Sequence, residues 1–350
     1  MAITLTSLAD LATHGFDDII DVRAPAEFAE DHLPCAISLP VLDDAERAQV
    51  GTIYKQVSPF KARKVGGALV AKNAAAHLQG PLADKDGGWK ALVYCWRGGQ
   101  RSGSFTSILQ QVGWRADVIA GGYKAWRKLV VDRVYDQPVG AKVVVLDGNT
   151  GSAKTDVLLA LAARGVQVID LEGLARHRGS LFGAMPGGQP SQKAFECGLA
   201  LALARLDPDR VVVIEAESSK VGNCRLPAPL WKAMVAAPRV VIAADVQARA
   251  RYLVRAYADL VQDRARLETV IGQLRPAHSA EQIDDWLGLV AAGDHVALAE
   301  GLMARHYDPR YEKHRARMTV PMAEVPAADL TPEAVEALAD PVAAAVAALA

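Results

Sequence analysis

Short apolar runs alternate with amphipathic segments along the first two thirds of the chain. Residues 19–23, 36–39, 91–94 and 117–120 are apolar runs of strand length, and segments with helical spacing separate them. Four more such runs follow at 142–147, 166–171, 211–214 and 239–243, and from 246 to 317 the pattern is mostly helical. Strands that alternate with helices indicate parallel sheets covered by helices. The chain is therefore predicted to be an α/β protein with two parallel-sheet domains.

The same pattern predicts the domain limits. The first domain should span 1–130, a linker 131–141, and a second domain with a helical extension 142–320. Residues 321–350 are predicted to be a tail. Within the tail, Thr331 is a candidate N-cap, Pro332 suits the first helical position, and the following sequence is rich in alanine. This tail is expected to form a separate helix, structural or loosely attached.

Composition narrows the class of protein. The 350 residues are 51% hydrophobic and 23% charged, with a formal net charge of -1, which is typical of a soluble globular protein whose basic surface must be local. No run approaches the length of a membrane span, and the first residues do not resemble a signal peptide. The four cysteines are widely scattered, which argues against a disulfide framework. We therefore expect a cytoplasmic protein without a membrane partner.

A cysteine at the end of a predicted strand is the first candidate for chemistry. Cys95 precedes a short loop and the start of a helix, so backbone amides and the positive end of a helix dipole should surround its sulfur and favour the thiolate. The residues predicted to hold an anion against it are Arg97, Gly98, Gly99, Arg101 and Ser102. Sequence alone does not assign a helper thiol among Cys35, Cys197 and Cys224.

The second domain opens with a strand, a glycine-containing loop and a helix. This is the context of a phosphate-binding loop, in which amides and a lysine cradle phosphates. The predicted binding residues are Gly148, Gly151, Ser152, Lys154 and Thr155. Ala153 stands where glycine usually precedes the lysine, which weakens the case for tight nucleotide binding. Thr155 could reach Mg²⁺, although no metal site is defined.

Two further groups of residues are candidates in this domain. Glu215 and Glu217 follow a buried strand and could act near a metal ion or as a proton acceptor, or form a solvated acidic loop. Basic and aromatic residues could contact phosphate and exposed bases, or form an ordinary solvated face. The predicted RNA-binding residues are Arg176, Arg178, Lys220, Arg225, Tyr307, Arg310 and Lys313, the last three within the stretch 306–315.

Motifs in the first 130 residues resemble a rhodanese domain. They are Asp21-Val22-Arg23, Glu27-Phe28, His32-Leu33-Pro34, the Cys95 loop and Gly121-Gly122. This rhodanese-like domain is fused to a domain with a phosphate loop, and the sequence at residues 51–56 is a further marker. In this combination, nearly the whole chain is similar to the tRNA 2-selenouridine synthase family.

That resemblance implies an enzyme that acts on the anticodon arm of tRNAs carrying 2-thiouridine at the wobble position. It implies geranyl diphosphate and selenophosphate as co-substrates, with no tightly bound cofactor, and a selenophosphate supply enzyme as a further partner. Cys95 would accept selenium, the phosphate loop would hold a diphosphate rather than drive nucleotide hydrolysis, and an S-geranyl intermediate would precede 2-selenouridine.

Three alternatives stay open on the sequence. The first is a general persulfide sulfurtransferase that uses Cys95 alone. The second is a cysteine-dependent phosphatase, because five residues separate Cys95 from Arg101; Tyr94 in place of the usual histidine and the lack of a nearby acidic general acid weigh against it. The third is a non-catalytic tRNA-binding module.

Overall fold

The computed structural model describes residues 2–350 apart from the side chain of His314. The chain divides into two compact units. Unit 1 comprises the residues up to Asp136 together with Pro190–Ala204, and unit 2 comprises Gln137–Gln189 together with Arg205–Ala350. Both units are α/β, which confirms the predicted fold class.

Unit 1 is built on a five-stranded parallel sheet. Its strands are β1 (Ala2–Ile3), β2 (Asp18–Asp21), β3 (Ala36–Ser38), β4 (Lys90–Tyr94) and β5 (Arg115–Ile119), in the order β1-β5-β4-β2-β3. Its helices, numbered in chain order through the whole protein, are α1 (Pro25–Glu30), α2 (Asp44–Gln56), α3 (Pro59–Gln79), α4 (Gln100–Val112), α5 (Gly122–Val131) and α8 (Gln192–Ala204). The central strand β4 is apolar and buried, as expected for a parallel sheet covered on both faces.

Unit 2 contains a second five-stranded parallel sheet. Its strands are β6 (Val143–Gly148), β7 (Gln167–Ile169), β8 (Val212–Glu215), β11 (Arg239–Ala244) and β12 (Met322–Ala327), in the order β12-β11-β6-β8-β7, and β9 (Lys220–Val221) and β10 (Cys224–Arg225) form a small separate hairpin. The helices are α6 (Lys154–Ala163), α7 (Leu171–Ala175), α9 (Ala228–Ala236), α10 (Val246–Ala256), α11 (Ala258–Val261), α12 (Arg264–Gly272), α13 (Ala280–Ala292), α14 (His295–Leu302), α15 (Asp308–Arg315) and α16 (Pro332–Leu349).

The predicted linker is largely helical. Helix α5 continues to Val131, and a π-helical turn extends from Asp132 to Asp136. Between α5 and β6, only the residues from Gln137 to Lys142 lack helix or strand structure. The chain therefore leaves unit 1 about one and a half helical turns later than the sequence pattern predicted.

Helix α8 packs on unit 1, although its position in the chain predicted the second domain. Glu196 of α8 is buried and pairs with Arg127, and it accepts a hydrogen bond from Tyr135 Oη at 2.6 Å. Arg133 donates to the carbonyl oxygen of Leu203 at 2.8 Å. These contacts join segments more than 60 residues apart, which a local pattern does not reveal.

The C-terminal segment is an integral part of the unit 2 core rather than a loose tail. Strand β12 pairs with β11 over six residues, and the buried face of α16, including Val335 and Val342, packs in the same core as Leu146 of β6. The predicted N-cap is present: Thr331 Oγ1 accepts from the amide of Ala334 at 3.2 Å. The pattern missed β12 because it contains Pro326 and buries only two residues, as an edge strand can.

Among the described residues, no helix combines the length and the apolar composition that crossing a bilayer requires.

Candidate active sites in the two units

Cys95 lies just beyond the carboxyl end of the central strand β4 in unit 1. The start of α5 fixes its backbone: Tyr123 N donates to the Cys95 carbonyl oxygen at 2.8 Å, and Lys124 N donates to that of Trp96 at 2.9 Å. Gly122 has φ +57°, and a Cβ there would lie 2.2 Å from the Cys95 carbonyl oxygen. The close approach of the two backbones therefore requires glycine at this position.

The sulfur of Cys95 sits among hydrogen-bond donors. The Gly99 amide donates to Sγ at 3.3 Å, and the Ser102 hydroxyl lies 3.2 Å from it. Burial alone would raise the pKa of the Cys95 thiol, but the Ser102 hydroxyl and the amides of Ser102, Arg97 and Gly99 lower it overall. A thiol held in this way is a nucleophile with increased thiolate character.

The two arginines of the loop differ in their surroundings. Arg101 Nη1 forms an ion pair with Glu27 Oε2 at 2.8 Å, and Arg47 shares the same oxygen at 2.9 Å. Burial raises the pKa of Glu27, but the hydrogen bond and the positive charge of Arg101 lower it overall, which favours the ionised carboxylate that the ion pair needs. Arg97 is exposed at the loop. Arg97 is therefore better placed than Arg101 to meet an incoming anion.

A buried polar network supports this loop from beneath. Tyr94 Oη donates to Asp21 Oδ2 at 2.7 Å, and the same carboxylate takes a charge-assisted bond from Arg23 Nη2 at 2.6 Å. The Arg23 guanidinium also lies 4.0 Å from the centre of the Tyr123 ring. The sequence analysis places Asp21 and Arg23 in a rhodanese-like motif but predicts none of these contacts. In the structure they fix the strand ends that carry Cys95.

The phosphate loop of unit 2 follows β6 and leads into α6. Gly148, Gly151 and Ala153 have φ values of +156°, +83° and +57°, so Ala153 adopts a backbone conformation that glycine favours. Lys154 is half-buried, and its Nζ donates to the Gly148 carbonyl oxygen at 3.0 Å. Burial lowers the pKa of Lys154, but the surrounding groups Tyr311, Glu172, Asp147 and Glu217 raise it overall. The lysine is therefore a half-buried, charged ammonium at the loop.

Three glutamates converge beside the phosphate loop. Thr155 Oγ1 donates to Glu172 Oε2 at 2.8 Å and lies 3.2 Å from Glu215 Oε2, and the Glu172 amide donates to Glu215 Oε1 at 2.6 Å. Burial, followed by the charge of Glu172, raises the pKa of Glu215 well above its usual range and that of Glu217 to about 8. Glu217 is thus mostly protonated at pH 7 and can act as a proton donor there.

A divalent cation prefers ionised carboxylate oxygens as ligands. Burial raises the pKa of Glu172 as well, so all three carboxyl groups hold a proton more readily than an exposed glutamate does. Within residues 2–350, no group of three or more His, Cys, Asp or Glu side chains is arranged to hold a metal ion. Thr155 lies beside two carboxyl groups, but the described residues define no metal site, and we derive no step through a metal.

The phosphate loop opens into a cavity of about 770 Å³ within unit 2. Lys154 and Glu217 line it, together with Arg178 and Ser180 from the loop after α7 and four residues at or near α15: Tyr307, Arg310, Tyr311 and Arg315. A second pocket, lined mainly by apolar side chains, shares Thr150, Ser180, Leu253, Tyr257 and Tyr307 with this cavity. A charged cavity therefore adjoins an apolar one.

Comparison with known proteins bears on both sites. A rhodanese-like domain matches residues 4–129, and a "tRNA 2-selenouridine synthase AAA domain" matches residues 141–282. The chain is 37% identical to a tRNA 2-selenouridine synthase from Aeromonas salmonicida over 88% of its length and 90% of that protein. Proteins of the same name from Alcanivorax borkumensis and Hahella chejuensis are 32% and 34% identical, each over 84% of this chain and over 88% and 84% of their own length.

The chain belongs to the tRNA 2-selenouridine synthase family. The resemblance predicted from the Cys95 loop and the phosphate loop is thereby confirmed.

In this member of the family, the residues predicted to bind RNA are divided between the phosphate-loop cavity and exposed positions. Three of them, Arg178, Tyr307 and Arg310, line the phosphate-loop cavity. Arg178 also pairs with Asp259 at 2.9 Å. The others, Arg176, Lys220, Arg225 and Lys313, are exposed, with Lys220 and Arg225 on the β9–β10 hairpin. The side chain of His314, within the predicted stretch, lies outside the described residues. RNA binding by the exposed residues stays a prediction.

Sequence reasoning missed two contributors to the cavity. Glu172 is the second residue of a short helix after β7 and is not among the predicted site residues, yet it accepts a hydrogen bond from Thr155. Arg315 ends α15 and was read as part of a basic face, yet it enters the cavity. The only available signal was that Glu172 lies just beyond a strand of the same sheet, where active-site residues collect.

Proposed function

We propose that this protein is an enzyme that converts wobble 2-thiouridine in tRNA to 2-selenouridine in two steps. In the first, the thiocarbonyl sulfur attacks C1 of geranyl diphosphate, the C–O bond breaks and diphosphate leaves. In the second, the selenium of selenophosphate attacks C2, the C2–S bond breaks and geranyl thiol leaves, and water then cleaves the Se–P bond with release of orthophosphate.

The observation that carries the proposal is the pairing of a phosphate loop with an apolar pocket in unit 2. The loop presents a half-buried, charged Lys154 to the cavity, and the adjoining pocket offers side chains such as Leu253 and Leu298. A prenyl diphosphate matches both parts of this site, because it joins a diphosphate group with at least two negative charges to an apolar chain. Neutralising the head promotes departure of the diphosphate, because electrostatic stabilisation acts on the charge that develops there.

The selenium step is assigned to Cys95 in unit 1. Its thiolate character follows from donors that face the sulfur, and the same amides suit the phosphate group of selenophosphate. Arg97, exposed at the loop, would add charge to this anion site. The wobble base has to leave its stack to react, and single-stranded anticodon loops permit this at low cost.

Mass spectrometry of an anticodon stem-loop RNA containing 2-thiouridine tests the proposal. Incubation with protein and geranyl diphosphate should add one geranyl mass, and later addition of selenophosphate should give 2-selenouridine. An RNA whose mass stays unchanged under both conditions would refute the assignment. Formation of a persulfide on Cys95 from thiosulfate, with release of sulfite and without RNA, would instead favour a general sulfurtransferase, and hydrolysis of phosphate esters would favour a phosphatase.

A further inference from the structure

Helix α15 is tied to the phosphate loop through its first residue. Asp308 accepts bonds from Arg249 Nη1 at 2.9 Å and Nη2 at 2.7 Å, and Asn149 Nδ2 donates to it at 3.1 Å. Arg249 is buried and also donates to the carbonyl oxygen of Thr150 at 3.1 Å. The start of α15 is therefore held at the loop by a paired, buried charge.

Helix α15 places two arginines, Arg310 and Arg315, at the cavity. Neither arginine has a carboxylate partner among the described residues. Arg310 contacts the ring of His306, and burial, followed by the charge of Arg310, lowers the pKa of His306 to about 4, so that this ring is neutral. Tyr311 places its ring centre 5.9 Å from Lys154 Nζ and 5.9 Å from Arg315 Cζ. Within the part of the chain that the structure describes, neither Arg310 nor Arg315 is therefore neutralised by a direct ion pair.

Arg315 presents two hydrogen-bond donors that no described residue satisfies. Its Nε and Nη2 atoms are shielded from solvent and have no hydrogen-bond partner in the described chain. Buried donors are nearly always paired, so two unpaired donors on one guanidinium indicate an acceptor that binds there. Arg178 Nη1 and Ser152 Oγ, which line the same cavity, are also buried without partners. The acceptor group should therefore be anionic and offer several oxygens.

We propose that Arg315 binds the second phosphate group of the diphosphate whose first phosphate group lies in the phosphate loop beside Lys154. This inference rests on the proposed function, which places a diphosphate at that loop. A guanidinium offers parallel donors that match two oxygens of one phosphate, which a lysine ammonium cannot do. The unpaired nitrogens of Arg315 are enclosed within the cavity, where a small diphosphate can reach them more readily than an RNA backbone.

Calorimetric titration of the full-length protein with inorganic pyrophosphate and with orthophosphate tests this assignment. Arg315→Gln should weaken pyrophosphate binding by about tenfold or more, because it removes charge-assisted bonds, and should leave orthophosphate binding within about twofold of the original protein. Arg317→Gln is the matched control, since Arg317 is an exposed arginine just beyond the same helix. It should change neither affinity.

Several outcomes would overturn the assignment. Wild-type pyrophosphate affinity in Arg315→Gln would do so, and so would failure of the wild-type protein to bind pyrophosphate. If Arg315→Gln binds pyrophosphate normally but binds a fluorescent stem-loop RNA more weakly, the guanidinium serves RNA instead. Lys154→Ala separates the two proposals: pyrophosphate binding that survives this change contradicts the phosphate-loop assignment of the proposed function, whatever Arg315→Gln shows.

Discussion

Replacing Ser102 by alanine should raise the pKa of Cys95. The Ser102 hydroxyl lies 3.2 Å from the sulfur, and it is the largest of the contributions that lower the pKa of this buried thiol. A hydrogen bond to a charged group is worth about 1.5–3 kcal/mol. One pKa unit corresponds to about 1.4 kcal/mol, so the loss of this bond should raise the pKa by about one to two units.

The assay is the pH dependence of alkylation by iodoacetamide, followed by mass spectrometry of the peptide that contains Cys95. The midpoint of the rate profile should move up by about one to two pH units in Ser102→Ala, while the plateau at high pH should be kept or slightly increased. Ser107→Ala is the control, because Ser107 lies on the same helix and its hydroxyl donates to the Gly103 carbonyl oxygen at 2.9 Å instead. An unchanged or lowered midpoint in Ser102→Ala would refute this account of the thiolate.

Three further changes test the two units. Glu217→Gln should stabilise the protein at pH 8 but not at pH 4.5. Folding raises the pKa of this carboxyl from 4.5 to about 8, so between these pH values the Glu217 carboxyl lowers the free energy of unfolding by about 1.4 kcal/mol per pH unit, which glutamine does not do. Equal thermal midpoints for the variant and the original protein at both pH values would contradict this. Gly122→Ala should abolish alkylation at the nucleophile, since its Cβ would clash with backbone, whereas Gly67→Ala, which meets nothing within 4 Å, should not; normal alkylation of the first variant would count against the loop geometry. Tyr94→Phe should lower the free energy of unfolding by about 1–3 kcal/mol in urea denaturation because Asp21 loses a buried donor, and a loss no larger than that in an exposed Tyr→Phe variant would argue against the network.

Local patterns were sufficient for the sheets and the two loops. Apolar strands such as β4 and β6, buried on both faces, give continuous hydrophobic runs, and the glycine-containing loops after them mark the carboxyl ends where ligands bind. The predicted positions of Cys95 and Lys154 followed from these features, and the structure places each at the carboxyl end of a central strand. Strands and helix starts are encoded by neighbouring residues, so they could be read directly.

What the sequence could not show depends on contacts between distant segments. The sequence predicts that Arg101 binds an anion, whereas in the structure Arg101 pairs with Glu27, 74 positions earlier. Arg178 and Arg310 looked like parts of an RNA-binding face, yet folding brings them to the cavity of Lys154. A charge in a sequence has no partner until the fold supplies one, so the balance of charge in a site is a tertiary property.

Single-turnover analysis of the two proposed steps tests the central claim most directly. RNA containing 2-thiouridine would be followed by mass spectrometry with the original protein, Cys95→Ser and Lys154→Ala. The account predicts that Lys154→Ala fails to add the geranyl group, whereas Cys95→Ser adds it at the normal rate but forms no 2-selenouridine. Loss of geranyl transfer in folded Cys95→Ser, or normal transfer in Lys154→Ala, would contradict the division of the two steps between the two units.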